Sequence, residues 1–161
     1  MKTKTIVGLL SCMALVLCLY VTPSATAASA QEEILKVMKD NFKAFNTSNF
    51  TLISSLWWHS PKSVLLGPTT DDPFIFQGWE EIEKGSKEGF NVPPGTYKFT
   101  MHHTIVTMVK DDVGIISTYL YVIYTNPTTK VPSMIQSRFS PVLQKIEWKW
   151  LYINVHVSMM P

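Results

Sequence analysis

Two periodicities divide the chain. Before Pro93-Pro94-Gly95, apolar residues recur every three or four positions; after it they alternate with polar ones to the end. From Gln31 to Asn46, Ile34, Met38, Phe42 and Phe45 fall on one stripe with Lys36, Lys39, Asp40 and Lys43 between them, which predicts an amphipathic helix with one buried side. Ser48 or Asn49 can cap a shorter second helix whose apolar side is Leu52, Ile53, Leu56 and Trp57. His59-Ser60-Pro61 ends it, since the residue before a proline avoids helical geometry. Ser63 to Gly67 and Phe74 to Gln77 read as short strands around the turn-rich stretch 68–73. A third helix begins near Gly78 with Trp79, Ile82 and Ser86 on one side, and Gly85 and Gly89 keep it short.

The alternating part fits four long strands, Thr96 to Val109, Val113 to Thr125, Ser133 to Lys145 and Lys149 to Ser158. Lys110-Asp111-Asp112, Asn126-Pro127 and Ile146-Glu147-Trp148 are their turns. Helices first and antiparallel strands afterwards predict an α+β fold, three helices covering one face of a curved sheet. Alternation predicts that Leu151, Ile153, Val155 and Val157 of the last strand face the helices. Trp150, Tyr152, Asn154, His156 and Ser158 then form an outer face suited to a protein interface. By the same rule His103 shares an apolar side with Tyr97, Phe99, Met101 and Ile105, and so lines the core or a pocket.

The N-terminus changes the picture of where the domain works. Lys2 and Lys4 precede an apolar run from Thr5 to Val21, and Thr22-Pro23 and the small-residue patterns Ala25-Thr26-Ala27 and Ala28-Ser29-Ala30 follow. This is the layout of a cleavable signal peptide, residues 1–30, cut after Ala27 or Ala30. The run is about 17 residues, the lower limit for a membrane span. The expected mature domain, residues 31–161, is therefore secreted or periplasmic. Cys12 and Cys18, the only cysteines, lie in the leader, so packing alone holds the domain. Leu9-Leu10-Ser11-Cys12 faintly resembles a lipoprotein processing site, which would make Cys12 a lipid anchor.

Without Lys2 and Lys4 the 14 Lys+Arg fall to 12, equal to the 12 Asp+Glu. A neutral domain without basic runs argues against a nucleic-acid partner and, once the leader is gone, against an anionic membrane surface. His59, His102, His103 and His156 show no ligand spacing with a carboxylate, so no metal is expected. No nucleophile elbow, phosphate loop or dinucleotide fingerprint is present, and no cofactor is expected.

The last third resembles a known family. Arg138-Phe139-Ser140-Pro141-Val142-Leu143, then Lys145, Trp150-Leu151 and His156-Val157-Ser158 with Pro161 is similar to the closing pattern of the SnoaL-like branch of the nuclear transport factor two-like superfamily. In that pattern R-x-T/S-x-V is followed by a K-W hairpin and H-x-S-x-x-P. Trp57-Trp58-His59-Ser60-Pro61, Leu66-Gly67-Pro68 and Gly78-Trp79-Glu80-Glu81-Ile82 resemble its earlier landmarks in order. The resemblance implies a cone-shaped half-barrel, often paired back to back, with an apolar pocket between helices and sheet. Members include isomerases, cyclases and dehydratases as well as proteins that only bind or assemble, so fold does not settle function. Steroid-isomerase relatives carry a general-base aspartate shortly after the second helix; here that stretch reads His59-Ser60-Pro61-Lys62-Ser63, and Asp71 and Asp72 lie further on in a turn.

The candidate ligand-binding residues are Trp57, Trp58, His59, His103, Tyr119, Tyr121 and Arg138, with His103, His59 and Tyr121 as candidate catalytic groups. Each has a plainer role open to it. The tryptophans can cap the core, His103 can be a hydrogen-bonded core residue, and the tyrosines and Arg138, the sole arginine, can serve an interface. Three functions remain open. One is an exported homodimer with a small hydrophobic ligand in an apolar pocket, paired through Trp150, Tyr152, Asn154 and His156. Another is an isomerase or dehydratase using a histidine base and a tyrosine hydroxyl. The third is a purely structural assembly domain.

Overall fold

The computed structural model describes residues 25–67 and 74–160. The expected leader's apolar run, with Cys12 inside it, lies outside these, as do Asp71, Asp72 and Pro161.

Helix α1 spans Ala25–Asn46. It begins earlier than the expected Gln31 and passes through both expected cleavage positions, in keeping with the alanine-rich stretch that opens it. Ile34 and Met38 are fully buried and Phe42 nearly so, the stripe expected from the spacing. Ser48 takes a left-handed conformation (φ 50°) that turns the chain out of α1. Asn49 then caps α2 (Phe50–Ser55), its side chain accepting from the Leu52 amide at 2.9 Å. Strands β1 (Val64–Leu66) and β2 (Ile75–Gln77) pair antiparallel. Gly78, at φ 89°, leads into α3 (Trp79–Gly89), a backbone position that disfavours side chains.

The long strands are β3 (Tyr97–Lys110), β4 (Val113–Thr125), β5 (Pro132–Ile146) and β6 (Lys149–Met159). The sheet order is β2-β1-β6-β5-β4-β3, antiparallel throughout except where β1 runs parallel to β6. The sheet is curved and unclosed, and the helices pack on one face of it. Trp57 bridges to Tyr152, and the Tyr152 amide donates to the Leu56 carbonyl at 2.9 Å, so the end of α2 is stitched to β6. Helix α1 crosses β4 so closely at Gly114 that a Cβ there would strike the Ile34 side chain.

Aromatic rings fill much of the space between helices and sheet. Phe42 stacks on Phe99 at 5.2 Å, Phe45 meets Phe90 at 4.5 Å and Phe99 at 5.1 Å, and Trp57 meets Tyr152 at 5.6 Å. Such pairs add directional attraction to the burial of large apolar area.

Two bulges overturn the expected facing of two strands. On β3, His102 opposes Tyr119 and Ile105 opposes Ser117, so His103 and Thr104 share the space of one residue, and His103 sits at φ 54°. One extra residue reverses a period of two. His103 and Ile105 therefore point away from the helices, while Val106 and Met108 replace them against the core. On β6, Tyr152 opposes Leu143 and Asn154 opposes Val142, which makes Ile153 the extra residue. Trp150 and Tyr152, expected on the outer face, are buried at 4% and 1% exposure, and of the aliphatic set only Val155 and Val157 join the core. Trp150 and Tyr152 thus drop out of the expected interface, whereas His156 remains exposed.

Candidate functional site

The outer face of the sheet holds the chemistry. Ser117, Tyr119, Tyr121 and Ile123 alternate outward along β4, opposite the buried Ile116, Leu120 and Val122. On β5 the outward set is Met134, Gln136, Arg138 and Ser140, opposite the buried Ser137, Phe139 and Leu143. Register sets Arg138 between Tyr119 of β4 and Ser158 of β6, and Ser140 beside His156. The bulge brings His103 to the same area, its ring edge-on to Tyr119 at 6.1 Å, and His102 lies edge-on to Tyr121 at 4.7 Å.

These residues enclose a hollow of about 280 Å³ lined by His103, Ile105, Ser117, Thr118, Tyr119, Arg138 and Ser140. Its floor is fixed by Thr118, whose hydroxyl bonds the Thr104 hydroxyl at 2.9 Å and donates to the His102 carbonyl at 3.1 Å. The bulge that exposes His103 is thereby tied to the neighbouring strand. The four long strands contain no aspartate or glutamate. Among the described residues Arg138 has no ion-pair partner: the salt bridges are Lys36–Asp40, Lys87–Glu83 and Lys145–Glu33.

A second concavity, about 400 Å³, opens between α1, α2 and the β5–β6 hairpin. Val37, Leu52, Leu56, Trp150 and Leu151 supply its apolar wall, and Glu33, Lys36, Asp40 and Lys149 its polar rim. One Glu33 oxygen accepts from Lys145 Nζ at 2.9 Å and from Trp150 Nε1 at 2.7 Å. The Lys145 hydrogen bond, then that of Trp150, holds the Glu33 carboxyl below its ordinary value. Trp148, 91% exposed, stands at the hairpin tip, where it and Glu147 both have positive φ. Tyr152 ends in a buried hydroxyl with no hydrogen-bond partner among the described residues. Burial pushes its pKa far up, and the charge of Asp40 adds to this.

The sequence candidates are divided between the two sides of the sheet. Trp57 is in the core against Tyr152, and Trp58 is half-buried. His59 is exposed, stacked on Trp79 at 4.1 Å with Nε2 at 2.9 Å from the Ser54 carbonyl oxygen. His103, Tyr119, Tyr121 and Arg138 gather on the opposite, outer face. Among the described residues neither His59 nor His103 hydrogen-bonds a tyrosine. The Glu33 cluster escaped sequence reasoning because its members lie 117 positions apart, and no local pattern links them.

A family model of the SnoaL-like domain matches residues 34–161. Comparison with curated proteins gives no match. Among solved structures, the chain is similar to a candidate scytalone dehydratase from Novosphingobium aromaticivorans (TM-score 0.74, 10% identity, 84% of this chain and 87% of that one). It is also similar to a nuclear transport factor 2-like superfamily protein from Salmonella enterica (0.69, 16%, 83% and 93%). A third is a candidate association domain of calcium/calmodulin-dependent protein kinase II from Xanthomonas campestris (0.68, 24%, 80% and 86%). At these identities the solved structures speak for the fold alone, and the family match covers most of the chain. The chain belongs to the SnoaL-like domain family and has the cone fold of the nuclear transport factor two-like superfamily.

Proposed function

We propose that the protein is an exported, self-associating binding module in which two copies pair through the outer sheet face. The observation that carries this is the apolar belt on that face: Ile105 and Met134 are 62% and 61% exposed, and Tyr119 and Ile123 lie between them, also exposed. A contiguous apolar sheet surface of this kind costs free energy in water, and pairing with its own copy removes the cost. Asn154 and His156, which stay off the core, belong to the same surface. The similar Xanthomonas protein, named as an association domain, is in keeping with pairing.

Sedimentation of the wild type against a Tyr119→Lys, Met134→Lys double variant tests it. A wild-type dimer and a folded, monomeric variant are expected, and a wild type that stays monomeric at about 100 µM, a concentration at which even weak interfaces assemble, overturns it. Export rests on the Lys2 and Lys4 head, the apolar run and the two Ala-x-Ala patterns. Mass measurement of the protein recovered from its native host should show cleavage after Ala27 or Ala30, and an intact Met1 would exclude it.

The groove beside the β5–β6 hairpin offers a small apolar ligand a seat, with Leu52, Leu56 and Trp150 as its wall and Trp148 as its lip. Quenching of tryptophan fluorescence by apolar ligands, lost in Trp148→Ala, tests that seat. The isomerase or dehydratase reading is the weaker one, because both histidines offered as bases are exposed and, among the described residues, neither hydrogen-bonds a tyrosine.

A further inference from the structure

Among the described residues, the outer sheet face holds the Arg138 guanidinium and no carboxylate to balance it. Arg138 shares this side with the imidazole rings of His103 and His156, and the side chains of the four long strands include no carboxylate. Among the described residues the acidic side chains sit instead on helices and in turns, and the three ion pairs all involve helix carboxylates. Arg138 is exposed, and its planar, always charged fork is shaped to grip a carboxylate through two hydrogen bonds. Here the fork belongs to the chain's sole arginine, at the wall of the 280 Å³ hollow.

The remaining lining defines what would fit. Ile105 and the Tyr119 ring give an apolar wall, and Ser117 and Ser140 give hydroxyls close to the arginine's strand. We infer that this hollow is a binding site for a small organic carboxylate with an apolar body, its carboxyl group on Arg138 and its body against Ile105 and Tyr119. The volume equals that of about nine waters, which suits an acid of roughly ten heavy atoms. A lone phosphate would meet one arginine and leave the apolar wall wet. A neutral apolar molecule would leave the guanidinium without an acceptor. The site is complete in one chain, so the inference goes beyond the pairing reading and does not depend on it; pairing would close a lid over the bound acid.

Titration calorimetry on the mature protein, with octanoate as the probe and octylamine and inorganic phosphate as controls, tests this. Saturable octanoate binding is expected, with Arg138→Gln weakening it at least about tenfold, the usual cost of a lost charge-assisted hydrogen bond. Arg138→Lys, which keeps the charge and loses the fork, should fall between the two. Amide chemical shifts should move at Tyr119 and Arg138. Equal binding of octanoate by wild type and Arg138→Gln, shifts confined to the Trp148 hairpin, or no saturable binding would each overturn the proposal. Sedimentation of the same samples reads the association state separately, so a failed pairing model and a failed carboxylate site give different results.

Discussion

The two faces of the sheet are built from the same strands and obey opposite rules. Toward the helices, Ile116, Leu120, Phe139, Leu143 and Tyr152 are buried among aromatic rings, and their identities answer to volume and shape. Toward solvent, Tyr119, Tyr121, Arg138 and His103 answer to chemistry: apolar surface, hydroxyls and positive charge in a strip without acids. Neighbouring positions such as Leu120 and Tyr119 therefore differ in what a substitution would disturb. Inner-face changes should act on stability, outer-face changes on association and binding.

The largest expected effect lies on the inner face. Leu143 is fully buried, so Leu143→Ala should lower unfolding free energy by about 2–5 kcal/mol in denaturant titration. A loss below about 0.5 kcal/mol, the range of ordinary surface substitutions, would break the contrast between the faces. Glu33 comes next, since its carboxylate holds both Lys145 and Trp150. Glu33→Ala should cost about 1–2 kcal/mol, a modest figure because the ion pair is largely exposed, and Glu33→Gln less. Its pKa is depressed in the fold, so its contribution is present above the unfolded value of 4.5 and fades as pH falls below it. Unfolding midpoints measured from neutral pH downward should show the wild type losing this increment while Glu33→Gln shows no matching decline. The smallest effect sharpens the comparison. Removing the unpartnered hydroxyl in Tyr152→Phe should leave thermal stability unchanged or slightly higher, because nothing is left unsatisfied. A clear loss would reveal a partner for that hydroxyl.

Much of this architecture was legible in the chain. Ile34, Met38 and Phe42 mark α1, Asn49 marks the start of α2, and the four alternating segments fall within a residue or so of β3 to β6. Tyr119 and Tyr121 share a side as alternation requires. What alternation could not supply was the bulge positions. His103 and Ile153 each insert one residue; on β3 the facing assignments after the bulge are reversed, and on β6 those before it, while Val155 and Val157 still face the helices. No glycine or proline announces either bulge; His103 adopts a positive φ without one. Hence one mechanism turns His103 outward and Trp150 and Tyr152 inward, against what alternation predicts. Glu33, Lys145 and Trp150 met through tertiary structure, which no local spacing encodes.

The kink at His103 also governs how the molecule behaves in a crowd. Strand β3 borders the sheet, and an open border of this length invites a neighbour's backbone to zip onto it. A bend halfway along, with the Gln31 amide already occupying the Val106 carbonyl at 3.2 Å, spoils the straight template that fibrillar stacking needs. The residue that carries an imidazole to the outer hollow thus also interrupts the straight run of backbone groups along the exposed rim.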